Sequence, residues 1–144
     1  MFKSRLMNII FILMGVVIVA VIVFFVLMQQ KEDETKPIKN PTLSQIVNDL
    51  TFSTGEITTN IRDDHFIKVN FKIQVSTEAA KAELAQRSFQ VKNAVIYAVS
   101  GLRMEDVQGQ DGIVKLENDI LQRINRFLKS GQVTHVYTTE IVAQ

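Results

Sequence analysis

The 144-residue chain contains no cysteine. This absence excludes disulfides, zinc sites with thiolate ligands and a thiol nucleophile together. It suits an oxidising compartment but does not by itself establish one. Proline is scarce as well, since Pro37 and Pro41 are the two in the chain and lie in one short stretch.

The sequence also lacks the motifs of common catalytic and ligand sites. It has no G-x-S-x-G elbow, and no nucleophile, base and acid that the sequence can bring together. Residues 109–112, GQDG, lack the Lys-Ser/Thr of a phosphate-binding loop, and residues 117–119 lack the ligand ladder of a calcium loop. His65 and His135 are isolated, and the acids before His65 are typical of a turn. We expect no enzyme, no metal site and no cofactor.

The longest apolar run covers residues 6–28, LMNIIFILMGVVIVAVIVFFVLM, 23 residues without a charge. As a helix it would measure about 34 Å, enough for a hydrocarbon core of about 30 Å. A cleaved signal peptide is the main alternative, but its apolar region spans only about 7–15 residues and ends at a small-x-small site that is missing here. The run predicts an uncleaved transmembrane helix.

Charges beside this run predict its orientation. Lys3 and Arg5 precede it, whereas the acids at 32–34 dilute the lysines that follow, so the positive-inside rule places residues 1–5 in the cytoplasm and residues 29–144 outside. Outside the membrane, 14 basic and 15 acidic residues give a net charge of −1. Such a domain has no electrostatic reason to bind nucleic acid.

The predicted span carries no ionisable side chain and no small-xxx-small pair. It therefore holds no ion of its own and no GxxxG packing motif. Two interpretations stay open: a simple anchor, or a helix that lies against the channel helices of another protein.

Residues 29–50 are predicted to form a charged linker followed by a short helix. Thr42 and Gln45 have the spacing of a capping box. The helix would show an apolar face that either binds a partner or packs on its own domain. We predict that this face is a partner-binding surface, formed by Leu43, Ile46, Val47 and Leu50.

Residues 51–144 are predicted to form one extracytoplasmic domain. Residues 51–61 favour a strand with a bend at Gly55. Residues 65–75 alternate between apolar and polar side chains, which is typical of a half-buried strand paired with the first as a hairpin. Residues 132–144 predict a closing strand.

Two helices are predicted between these strands. The first is capped by Ser76 or Thr77, runs to about Ser100 and ends at Gly101. Its buried arc would include a flanking stripe of Ala85, Phe89 and Ile96. The second runs from Ile113 to about Lys129, before Gly131. This order predicts an α+β domain with helices on one face of a small antiparallel or mixed sheet.

Several segments together resemble the FliL family of flagellar basal-body-associated proteins. They are Glu56 to Ile61 (EITTNI), His65 to Val69 (HFIKV), Val91 to Ile96 (VKNAVI) and the closing Gly131 to Gln144 (GQVTHVYTTEIVAQ), in an order that covers essentially the whole chain. Two residues depart from the family pattern: Phe89 stands where many members have proline, and Asn93 where many have an acid.

The resemblance implies a stomatin/prohibitin-like fold and a non-enzymatic accessory of the flagellar motor in the bacterial inner membrane. Family members are expected to form homo-oligomeric rings around ion-driven stator units of the MotA/MotB type and to support torque or stator engagement. It implies neither a small-molecule substrate nor nucleic-acid binding. The alternative is a general single-pass extracytoplasmic adaptor or sensor unrelated to flagella.

Overall fold

The computed structural model describes residues 13–28, 36–62 and 64–144. The chain divides into two compact units, Met1–Glu34 and Thr35–Gln144. Several features of the sequence analysis lie outside the described residues: the flanking charges Lys3 and Arg5, residues 6–12 of the predicted span, residues 29–35 of the predicted linker, and Asp63 in the predicted turn.

In the first unit, residues 13–28 form helix α1, and every side chain in this range is exposed. Across the three described ranges, no helix combines the length and the apolar character that crossing a bilayer requires.

The second unit begins with a short helix, α2, Leu43–Asn48. The predicted capping box is present: the Thr42 hydroxyl accepts a hydrogen bond from Gln45 N at 3.4 Å, and Gln45 Oε1 accepts one from Thr42 N at 2.9 Å. These bonds satisfy two backbone N–H groups that have no acceptor within the first turn of the helix. Asp49 ends the helix, and Leu50 turns into the domain with 1% of its surface exposed.

Four strands form one antiparallel sheet: β1 Thr51–Ser53, β2 Ile57–Asn60, β3 Phe66–Val75 and β4 Val133–Ala143. Strand β3 is central. Strands β1 and β2 pair with successive parts of it, and β4 pairs with it from Ile67 to Val75. The predicted hairpin and the closing strand are confirmed.

The predicted bend at Gly55 separates β1 from β2. Gly55 has φ +69°, a left-handed conformation that favours glycine. Beside it, the buried Thr54 makes two hydrogen bonds to the backbone of β3. Its N–H donates to Phe71 O at 3.1 Å, and its hydroxyl accepts from Phe71 N at 3.1 Å. The hydroxyl thus satisfies a backbone donor that the interrupted strand leaves without a strand partner.

The alternation in β3 divides the sheet into two faces. Ile67, Val69, Phe71, Ile73 and Val75 are at most 1% exposed and face the helices. Their neighbours Lys68, Asn70 and Gln74 are half-buried, and Phe66 and Lys72 are exposed, on what we call the open face. One face of the sheet therefore carries the core, as predicted from the period of two.

The first predicted helix is in fact two, α3 Glu78–Gln86 and α4 Ser88–Ser100. They separate at Arg87, whose φ of −96° and ψ of 23° depart from helical values. The break lets α3 contact β1 and β3 while α4 contacts β2. The flanking stripe was predicted wrongly in part: Ala85 and Phe89 are exposed rather than part of the buried arc, and Ile96 is half-buried.

The second predicted helix, α5, covers Gly109–Asn125, four residues earlier at its start and end than predicted. A 3₁₀ helix, Met104–Val107, precedes it, between the two predicted helices. The two pack so closely that a Cβ on Gly112 would lie 2.2 Å from Asp106 O, so only glycine fits in this turn. Helix α5 packs on β4 and α4, in agreement with the predicted α+β domain that has its helices on one face of the sheet.

Candidate functional site

Within residues 36–62 and 64–144, no group of three or more His, Cys, Asp or Glu side chains is placed to hold a metal ion. His135 lies on the open face of the sheet and stacks on Tyr137, with ring centroids 5.8 Å apart. The Tyr137 hydroxyl donates to Gln74 Oε1 at 3.1 Å. His135 therefore lies among side-chain contacts that are typical of a sheet surface.

A second polar contact on the open face joins β3 to β4. Lys68 Nζ lies 2.5 Å from Glu140 Oε1. The hydrogen bond and the charge of Glu140 raise the pKa of Lys68 above its ordinary value of 10.5. Because both side chains are about one-third exposed, solvent screens this pair, and it contributes little to stability.

The four residues of the predicted partner surface do not share one environment. Leu43 and Val47 are 77% and 57% exposed, and their spacing of four places them on one side of α2. Ile46 is half-buried, and Leu50 is buried in the domain itself. Leu43 and Val47 are thus the exposed members of the predicted surface, whereas Leu50 belongs to the interior of the domain.

Hydrogen bonds hold α2 on the domain. Leu50 O accepts from Val75 N at 2.9 Å, and the Lys81 ammonium on α3 donates to the carbonyl of Asn48. Further up the chain, Ile38 N donates to Ser76 O at 3.1 Å. These bonds fix the orientation in which the two exposed side chains of α2 are presented.

Helix α3 also holds the loop before β4. The Glu83 carboxylate accepts hydrogen bonds from Ser130 N at 2.8 Å and Lys129 N at 3.0 Å, and Arg87 Nε lies 2.8 Å from its other oxygen. Burial opposes ionisation of Glu83, but these hydrogen bonds and the Arg87 charge outweigh it, so its pKa falls below the ordinary 4.5. Glu83 is therefore an ionised structural anchor.

A groove of about 560 Å³ lies on the outer surface between α4 and α5; we call it the aromatic groove. Phe89 and Tyr97 on α4 border it and are 69% and 62% exposed. The lining contains three aromatic rings and two guanidinium groups, and no carboxylate: Phe89, Gln90, Asn93, Ala94, Tyr97, Arg123, Arg126 and Phe127.

A second groove, of about 380 Å³, lies where α4 ends and α5 begins; we call it the acidic groove. Four carboxylates and one ammonium group line it, among Ala98, Leu102, Glu105, Asp106, Gln108, Asp111, Gly112, Lys115, Leu116 and Asp119. Asp119 pairs with Arg123 of the aromatic groove at 2.8 Å, so this ion pair marks the boundary between the two.

Neither groove was predicted from the sequence. The available signal was the spacing of Phe89, Asn93 and Tyr97, which places them on one side of a helix, opposite the buried Val91 and Val95. The periodicity of apolar residues alone assigned Phe89 to the core stripe. It did not show which apolar side chains remain uncovered once α5 has packed on α4.

Comparisons with known proteins are consistent with one family. The profile of the family described as flagellar basal body-associated protein FliL matches residues 51–144, which includes every strand of the sheet. A relative described as flagellar protein FliL, from Bacillus subtilis (strain 168), is 34% identical over 89 residues. That match covers 62% of this chain and 64% of the relative.

Proposed function

The chain belongs to the FliL family of flagellar basal body-associated proteins, and on that premise we propose a specific role in the motor. The protein is a non-enzymatic, membrane-anchored accessory that associates with ion-driven stator units of the MotA/MotB type and supports their engagement and torque. The observation that carries this proposal is the family match over residues 51–144.

The proposal includes a membrane anchor at residues 6–28. The uncharged run and the basic residues before it support an N-terminus in the cytoplasm and a domain on the other side of the inner membrane. Because the run carries no ionisable side chain, it provides no ion pathway. The accessory therefore acts through contacts, either along the membrane helix or through the domain.

The stator-facing surface we propose is the side of α2 that carries Leu43 and Val47. Two apolar side chains at 77% and 57% exposure on a helix that is hydrogen-bonded to its own domain are a small, oriented apolar patch. Contact with a partner would remove this patch from water. Each Å² of apolar surface buried in this way stabilises the complex by about 25 cal/mol. Of the other two residues of the predicted surface, Ile46 is half-buried and Leu50 is buried in the domain.

A complementation experiment tests this role. A deletion strain is complemented with the full chain or with a Leu43→Asp/Val47→Asp variant, and swimming and swarming are scored under high viscous load together with stator recruitment. We expect the variant to accumulate normally and to lose motility. Ser44→Asp is the matched control, because Ser44 is exposed on the same helix without belonging to the patch.

Two outcomes would contradict the proposal. A deletion strain that swarms normally and recruits and exchanges its stators as wild type does would remove the motor role. Co-purification that recovers envelope proteins but no stator or flagellar protein would favour the general adaptor instead. Normal motility of the α2 variant, with motility lost on deletion, would refute only the assignment of the surface.

We also propose that the protein forms a homo-oligomer, as the family resemblance implies. A domain of about 110 residues can bury one modest core, and association would cover surface that the single copy leaves exposed. Crosslinking of the full chain in membranes that yields monomer alone would contradict this state.

A further inference from the structure

We propose that copies of this chain associate head to tail, with the aromatic groove of one copy against the acidic groove of the next. This inference rests on the homo-oligomer proposed above, and it adds which two surfaces of the chain are in contact. It commits to a second copy of this chain as the occupant of both grooves.

The charges of the two grooves are complementary. The aromatic groove presents the Arg126 guanidinium and no carboxylate, while its second guanidinium, Arg123, is already paired with Asp119. Apart from Asp119, which is paired with Arg123, the acidic groove presents three carboxylates, among them Asp111, against the single ammonium of Lys115. Opposed potentials of this kind align two surfaces and exclude the like-charged alternatives.

The aromatic side chains supply the apolar part of the contact. Phe89 and Tyr97 lie on one side of α4 with more than 60% of their surfaces exposed, an arrangement that costs free energy in water. Large exposed aromatic side chains with arginine beside them are typical of interface centres. The acidic groove offers apolar surface from the half-buried Leu102 beside its carboxylates.

The placement of the grooves makes this contact intermolecular. Both lie along the same pair of helices, at successive positions, and the Asp119–Arg123 ion pair separates them. A groove therefore cannot reach its complement within one chain. A contact between two different surfaces is heterologous, and it builds a ring when the rotation between copies closes.

Cysteine crosslinking of the full chain in membranes tests the geometry, and the absence of native cysteine makes the products unambiguous. Asn93→Cys labels the aromatic groove and Gln108→Cys the acidic groove; both residues are exposed and uncharged, so the proposed charges stay in place. The double variant should give a ladder of disulfide-linked oligomers. A mixture of the two single variants should stop at the dimer.

The matched control is the pair Ser53→Cys and Asn60→Cys, two exposed, uncharged residues on β1 and β2, away from both grooves. We expect no ladder from this pair. Strong dimer formation by Asn93→Cys alone would indicate a symmetric contact and overturn the proposal, as would an equal ladder from the control pair.

Charge reversal tests the pairing. In the double-cysteine background, Arg126→Glu should reduce the ladder by more than about tenfold, because like charges across an interface are costly. Adding Asp111→Arg should restore it. An unchanged ladder with Arg126→Glu, or no recovery in the combined variant, would overturn the charge complementarity.

Motility of the same strains separates this inference from the proposed function. A ladder in cells whose stators assemble equally well without the protein would refute the motor role and leave the interface intact. Loss of motility on deletion, without any ladder, would refute the interface alone.

Discussion

The Glu83 carboxylate on α3 accepts a hydrogen bond from the backbone N–H of Ser130, 47 residues further along the chain, at 2.8 Å. This contact joins the helix that contacts β3 to the loop that leads into β4. Because the Glu83 side chain is only 11% exposed, little water is available to replace the bond if it is lost.

Glu83→Gln should destabilise the domain by about 1–3 kcal/mol, because the amide keeps one acceptor but loses the charge that strengthens the bonds. Urea unfolding monitored by circular dichroism measures the change. Glu105→Gln, at an exposed position, is the control and should be near neutral. Equal stability of both variants would contradict the anchoring role.

The same carboxylate gives the domain a pH dependence. Its pKa is lower in the folded state than its ordinary 4.5, so its stabilisation is complete above that value and is lost as the pH falls through the folded pKa. Unfolding free energies measured from pH 6 down to pH 2 should therefore fall less steeply in Glu83→Gln than in the native chain. Parallel curves would contradict this assignment.

Gly131→Ala should destabilise the domain by about 1–3 kcal/mol through overpacking. An added Cβ would lie 2.8 Å from both the Ser76 and Thr77 hydroxyl oxygens and 3.0 Å from Ala80 Cβ. Gly101→Ala is the matched control, since its Cβ would meet nothing nearer than Tyr97 O at 3.9 Å. We expect thermal unfolding to separate the two variants clearly; a shared melting temperature would argue against the close approach.

Thr54→Val should cost about 1–3 kcal/mol, because it leaves the buried Phe71 N–H without its hydroxyl acceptor. Thr58→Val changes the same side chain at an exposed position of β2 and should be neutral or slightly stabilising. Hydrogen exchange at the Phe71 amide provides a direct local measurement. Unaltered protection of that amide in Thr54→Val would contradict the assigned bond.

Substitutions at Leu43 and Leu50 should distinguish a partner-binding side chain from a core side chain in the same segment. Leu50→Ala removes a side chain that is 1% exposed and should cost about 2–5 kcal/mol, whereas Leu43→Ala, at 77% exposure, should leave stability unchanged. Only Leu43→Ala should reduce stator recruitment at normal protein stability. If Leu43→Ala unfolds the domain, α2 is a packing element rather than a partner surface.

Local patterns predicted most of the sheet. The alternation from Ile67 to Val75 has a period of two that only a half-buried strand satisfies, and Gly55 marks a bend through its conformational freedom. The capping box at Thr42 likewise depends on residues three apart. Such features depend on residues that are close together in the chain, so they can be predicted from the sequence.

What the sequence did not reveal depends on contacts between distant segments. Arg87 breaks a helix although arginine is a good helix former, because α3 and α4 contact different strands. The requirement for glycine at position 112 comes from the close approach of the Asp106 backbone, which no sequence pattern marks. The exposure of Phe89 follows only from where α5 packs, and both grooves depend on that same placement.

The bond between Ile38 N and Ser76 O also has a mechanical consequence. Tension arriving through the chain before residue 36 would load this bond before the Asn48–Lys81 and Leu50–Val75 bonds, each in turn rather than together. Optical-tweezer pulling should therefore detach α2 at low force, before the sheet yields. Pulled from its N-terminal side, the domain would in this way extend residues 36–50 before its sheet came under load.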